Sequence, residues 1–238
     1  MEWIVAHLGQ IATDLGVHLY QAVIPLLAGA VVALALAQLA RWNRPVGAVI
    51  LGASSLLYTI PSLALFVVLP LILGTQILDP ANVMVALTLY AIALLVRTMV
   101  DALDAVDPEV RQAAVALGYR PVRRFFAVDL PLSVPVMFAG LRVVSVSNIA
   151  LASVGALIGV RNLGFYFTDG LQRGFVTEVV VGIVGTLLLA LLMDVVLVVL
   201  QRVLTPWLHS GGGDHGRGGV ATAESGASTQ LRPGMVRS

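Results

Sequence analysis

Long apolar runs separated by short polar connections set the pattern of this chain. A helix rises about 1.5 Å per residue, so roughly 20 apolar residues cross the hydrocarbon of a bilayer. Five segments reach that length: Leu19 to Ala40, Val46 to Gly74, Val83 to Leu103, Leu132 to Ile158 and Val179 to Leu204. The pattern predicts an all-α polytopic membrane protein with about five transmembrane helices. It divides into a segment 1–18 ahead of the first span, a transmembrane domain 19–208 and a tail 209–238. The tail is too polar and glycine-rich to offset its ordering entropy and is expected to be disordered. Glu2, His7 and Asp14 interrupt the N-terminal stretch and no basic region precedes it, so it does not read as a cleavable signal peptide. The second apolar segment has 29 residues, about 43 Å if straight, against a hydrocarbon core about 30 Å thick. Pro61 in its middle removes a backbone hydrogen bond and predicts a kink between Tyr58 and Ser62.

Composition agrees and narrows the chemistry. The 238 residues are 58% hydrophobic and 11% charged, where soluble domains carry about 25% charge. All 14 basic residues are arginine and there is no cysteine. A phosphate-cradling loop with its lysine, a Schiff-base lysine, a thiol nucleophile and a thiolate metal site are therefore excluded within this chain. His7, His18, His209 and His215 show no metal-ligand spacing, so no metal or cofactor is expected here. Any ATP and magnesium the protein depends on would sit on a partner.

Arginine placement sets the expected orientation. With the N-terminus outside, the inner connections and tail hold ten arginines and the outer ones only Arg161 and Arg173. The positive-inside rule then gives N-out, C-in.

Residues 104–131 form the longest inner connection. Asp107 suits an N-cap, Pro108 the first helical position, Glu109 the positive end of the dipole and Gly118 the C′ position, which predicts a helix over 108–117. A second short helix is expected from Pro121 to about Asp129, ended by Pro131. Val110, Ala113, Ala114 and Leu117 recur at helical spacing, and Phe125 and Phe126 stand beside Arg123 and Arg124. Two uses fit: an amphipathic loop lying on the membrane, or a plug for a partner's groove.

The order Gln112, Ala113, Ala114, Gly118, then Val128, Asp129, Leu130, Pro131 resembles the EAA loop of ABC-importer permeases, with glutamine in the place of the first glutamate. The run Thr59 to Leu65, the group Asn162, Leu163, Gly164 with Gly170 and Gly174, and the ending Asp194 to Trp207 resemble permeases for glycine betaine, choline and carnitine. The resemblance covers roughly residues 20–207. It implies a type I ABC-importer permease-like fold in a bacterial inner membrane, multi-pass. The implied partners are an ABC ATPase dimer, a second permease subunit of the same or related sequence, an extracytoplasmic substrate-binding protein and membrane lipid, with no nucleic acid. ATPase coupling would fall to Gln112, Ala113, Ala114, Gly118, Tyr119, Arg123, Leu130 and Pro131. The chain would be a non-catalytic transport subunit for osmoprotectants, with hydrolysis on the partner.

Polar residues within the spans mark a possible pathway. Tyr58, Thr59, Pro61 and Ser62 surround the expected kink, and Ser145 and Asn148 lie on a stripe of small residues in the fourth span. Such a stripe serves either a tight helix interface or a pathway lining. Among intramembrane charges, Arg97 and Asp101 are spaced for a helical ion pair, whereas Arg142 and Asp194 lack local partners and are expected to pair across helices or with a second subunit, with proton relay as the rival role. Two other functions compete. An ion-coupled secondary carrier would be expected to show inverted repeats, and an intramembrane enzyme a base–nucleophile pair or metal motif; neither is present in the sequence.

Overall fold

The computed structural model describes residues 2–208 and is helical throughout its regular elements. Helix α1 runs from Glu2 to Trp42, α2 from Arg44 to Thr59, α3 from Ser62 to Leu73 and α4 from Pro80 to Asp104. Short helices α5 (Pro108–Ala116) and α6 (Pro121–Arg124) follow, then α7 (Leu130–Val154), α8 (Phe165–Arg173) and α9 (Val176–Leu204). Four stretches are long and apolar enough to span a membrane, and the pair α2 and α3 adds a fifth if its two halves count as one. Pro206–Leu208 forms a single 3₁₀ turn in a separate unit. The expected disordered tail lies outside the described residues.

Within the main unit, α1 and α4 pack against each other and α7 lies across both. Lipid tails are as apolar as the side chains, so packing and hydrogen bonding rather than burial hold such helices together. Small residues serve that purpose here. A Cβ added to Gly29 of α1 would stand 2.5 Å from the Ala91 Cβ of α4, and Ala33, Ala37, Ala91 and Ala102 are all fully enclosed in the same cluster with Leu95, Met99 and Val144.

Four features differ from expectation. First, residues 2–18 are not a separate segment but the opening of α1, whose 41 residues extend about 60 Å, twice the hydrocarbon thickness. Second, the kink at Pro61 is a break, with α2 and α3 meeting at 105°. Ile60 and Pro61 are both extended, at ψ 127° and 133°. Neither piece, about 24 Å and 18 Å long by helical rise, crosses the core alone. The Tyr90 hydroxyl of α4 donates to the freed Ile60 carbonyl at 2.5 Å, so the break is satisfied from a neighbouring helix.

Third, the helix begun at Pro121 does not stop at Asp129. A π-helical turn over Phe125–Asp129 carries it into α7, with the Leu130 amide bonded to the Phe125 carbonyl. The wider turn gives Pro131, which has no amide to donate, a place near the start of the following helix. Fourth, Arg97 and Asp101 form no ion pair and both point outward. An arginine preceding the acid by four residues is the less favourable order for a helical pair. Arg142 and Asp194, in contrast, join α7 to α9 through two parallel bonds, Nε to Oδ1 at 2.6 Å and Nη2 to Oδ2 at 2.8 Å.

Candidate functional site

Asp107 caps the first helix of the connection after α4 and sets its geometry. Its Oδ1 accepts from the Glu109 amide at 2.8 Å, fixing the start of α5. The helix ends in a Schellman arrangement, with the Tyr119 amide donating to the Ala114 carbonyl at 3.1 Å and the Gly118 amide to that of Val115 at 2.9 Å. Gly118 takes φ +80°, the left-handed conformation that glycine adopts without penalty. Arg123 then stacks its guanidinium 4.8 Å from the centre of the Tyr119 ring, closing the corner.

Buried beneath this corner is Asp129, only 3% exposed. Its Oδ1 accepts from Arg111 Nε at 2.9 Å and its Oδ2 lies 3.4 Å from Arg124 Nε. Arg111 also donates to the Leu103 carbonyl at the end of α4. One carboxylate thus ties α5, α6 and the π-turn together, and Arg111 adds the last turn of α4. Several apolar side chains of the loop also face outward, among exposed Glu109, Gln112, Arg120 and Arg123. Leu117 is 78% exposed, and Val115, Val122 and Phe126 are exposed around it. Beside them a groove of about 340 Å³ is lined by Gln112, Val115 and Ala116 with Arg111 and Arg124 at its edge.

Of the residues singled out for docking, Gln112, Ala113 and Gly118 are exposed, Tyr119, Leu130 and Pro131 half-buried, and Ala114 buried. Arg111 and Asp129 brace the loop, yet the sequence offered only Asp129's place in the terminal motif as a signal. Their separation of 18 residues hides the pairing.

The proposed pathway residues fall into two places. Tyr58, Thr59 and Pro61 are exposed at the α2–α3 break, with Ser62 half-buried beside them, and the Tyr58 ring meets Tyr90 edge-on at 6.1 Å. Ser145 and Asn148 are 2% and 1% exposed. Asn148 donates to the Ala22 carbonyl at 3.4 Å, so the stripe packs α7 on α1 instead of joining the break.

At the opposite end from the 104–131 connection, Asp14 gathers Arg161 at 2.9 and 3.1 Å and the Tyr166 hydroxyl at 2.7 Å. Burial and the Asp14 carboxylate push the Tyr166 hydroxyl above its ordinary range, so it stays a donor. Asn162 bonds Gln21 and the Ala152 carbonyl and accepts from the Gly164 amide. Gly164 lies so close to the Ser153 backbone that a Cβ could not be placed there, and one on Gly170 would be 2.8 Å from Val179. The Asn-Leu-Gly group and Gly170 are thus packing elements of this end.

With an exposed helical corner on one end and a closed polar cluster on the other, the chain matches one family over most of its length. The family described as "Binding-protein-dependent transport system inner membrane component" covers residues 26–210. The chain belongs to this family.

Curated relatives agree. The permease is 37% identical over 161 residues to the osmoprotectant import permease protein OsmW of Salmonella typhimurium, covering 66% of this chain and 74% of OsmW. It is 29% identical over 199 residues to the glycine betaine/carnitine/choline transport system permease protein OpuCB of Bacillus subtilis, covering 83% and 90%. It is also 36% identical to the ergothioneine transport permease/ergothioneine binding protein EgtU of Helicobacter pylori, over 68% of this chain and 29% of that longer protein. In fold, an inward-facing structure of the MetNI methionine ABC transporter superposes with a TM-score of 0.73 at 20% identity, covering 86% of this chain and 99% of the other. The permease is therefore a multi-pass transport subunit of a bacterial inner membrane, with the fold of ABC-importer permeases.

Proposed function

We propose that this permease forms the membrane path of an ATP-driven importer for quaternary-ammonium osmoprotectants such as glycine betaine, choline or carnitine. Two permease subunits, identical or related, assemble with an ATPase dimer that binds ATP and magnesium. A binding protein delivers solute to the end built around Asp14, Arg161 and α8. The observation that carries this reading is the loop itself: an exposed amphipathic helix whose buried base is anchored to two spans at once. A loop that merely rested on lipid would need no such anchoring. Closure of the ATPases would move α5, and the Asp129 cluster would pass that motion to α4 and α7.

Charge supports N-out, C-in. Arg161 is held by Asp14, and Arg173 by Glu178 and Asp169. The end that carries the 104–131 connection holds Arg41, Arg44, Arg111, Arg120, Arg123, Arg124 and Arg202 against these two, the asymmetry the positive-inside rule reads.

The test is reconstitution of the permease with its ATPase and binding protein, followed by uptake of labelled betaine, choline and carnitine. ATP-dependent uptake of any of these supports the reading, and ion-driven uptake without the ATPase refutes it. Kinship with EgtU adds ergothioneine as a second substrate to assay. A photo-crosslinker at Val115 should capture the ATPase; capture of lipid alone would refute the docking role.

A further inference from the structure

We propose that the elbow between α1 and α2 holds an anionic phospholipid. Its phosphate would lie among Arg41, Arg44 and Arg124, with an acyl chain along Leu39, Val46 and Val49. The elbow is tight. Asn43 is the one extended residue between the two helices, and its carbonyl accepts from the Gly47 amide at 2.9 Å. A Cβ on Gly47 would approach the Ala40 carbonyl oxygen to 2.6 Å, so only glycine lets α2 turn back this closely on the end of α1.

The turn opens a pocket of about 680 Å³ bounded by Arg41, Arg44, Arg124, Trp42 and Asp104. Three guanidinium groups face one carboxylate, and that carboxylate is already engaged by Arg41 at 2.7 Å. Arg44 has no side-chain partner among the described residues, and Arg124 has only its 3.4 Å contact with Asp129. Among the described residues, the pocket therefore carries more positive charge than its one carboxylate offsets. Guanidinium groups bind phosphate oxygens in a fork, which suits this set.

A free phosphate would use only half of the site. Past Leu39 and Val46 a second groove of about 350 Å³ continues, lined by Leu36, Pro45, Val49 and Ile50 and without a charged residue. Positive charge at a helix end, followed by an apolar channel along the helix, matches an anionic head on a hydrocarbon chain. Trp42, 85% exposed at the junction, lies where indole rings settle at headgroup level. Such a lipid would connect the elbow to the docking loop through Arg124. The inference needs only that these helix ends lie at a membrane surface, so it stands apart from the choice of solute and from the direction of transport.

The test uses the complete transporter in nanodiscs of equal phosphatidylglycerol and phosphatidylcholine, released into mild detergent and weighed by native mass spectrometry. The wild type should retain phosphatidylglycerol in preference to phosphatidylcholine. Arg44→Gln should weaken that preference about five-fold, from about 1 kcal/mol per arginine near a charged surface. Arg44→Lys should restore part of it, and Arg202→Gln, which removes an exposed charge elsewhere, should leave it unchanged. Equal retention of both lipids, or equal effects of Arg44→Gln and Arg202→Gln, would overturn the assignment. Inorganic phosphate that binds with no lipid retained would overturn it too, by assigning the pocket to a free anion. Copurification of the ATPase with each variant reports whether the fold survived, and lipids retained by wild type decide the matter if it did not.

Discussion

Asp129→Asn is the sharpest probe of how the docking loop works. The substitution keeps the side chain's volume and removes its charge beneath two arginines. A hydrogen bond to a charged group contributes about 1.5–3 kcal/mol. Only the Arg111 bond, at 2.9 Å, has full strength, while that of Arg124 is stretched to 3.4 Å. The arginine side chains are 21% and 31% exposed, so water discounts both interactions. A net loss of about 2 kcal/mol remains, which is about 30-fold in the equilibrium constant between the braced and released loop. Proteoliposomes containing permease, ATPase and binding protein report it as solute taken up per ATP hydrolysed. That ratio should fall several-fold while the ATPase still copurifies, since the outward apolar surface is untouched. Asp129→Glu should recover part of it. An unchanged ratio with the ATPase still bound would refute the bracing role.

Gly118→Val should leave insertion and expression normal but uncouple hydrolysis from uptake. The left-handed conformation costs an ordinary residue about 1–2 kcal/mol, and open space around this position makes the penalty purely one of backbone. Gly118→Asn should keep more of the coupling than valine does. For Arg142 and Asp194, each single alanine substitution should lower the thermal stability of the purified permease, and exchanging the two residues should recover part of the loss; no recovery would argue against direct pairing as their role. Tyr90→Phe should cost about 1 kcal/mol by leaving the Ile60 carbonyl without its donor, measured as a lower melting temperature in detergent.

Apolar length made four of the spans readable within a few residues, because lipid imposes one rule on every backbone group that enters it. The caps of α5 were equally legible, since Asp107, Pro108 and Gly118 act on the residues next to them. What escaped the sequence depended on distant partners. Residues 2–18 read as a segment apart from the first span until Asp14 meets Arg161 and Tyr166, and His18 meets the Ile149 carbonyl, more than 130 residues away. The sharpness of the Pro61 break rests on Tyr90, which makes full rupture affordable from another helix. Pro131 misled because proline forbids a standard turn, not every turn, and the π-turn goes round it.

That π-turn has a mechanical implication. It accommodates one residue more than an ordinary turn would, so the helix on either side is out of phase by about 100°, the angular step of a single residue. Removing one residue, such as Ala127, would let the thread close into regular pitch and swing the docking face around the axis of α7. A partner proposed to seat on that face would then meet the wrong side of an otherwise intact rod, so registry alone would separate a coupled permease from an idle one.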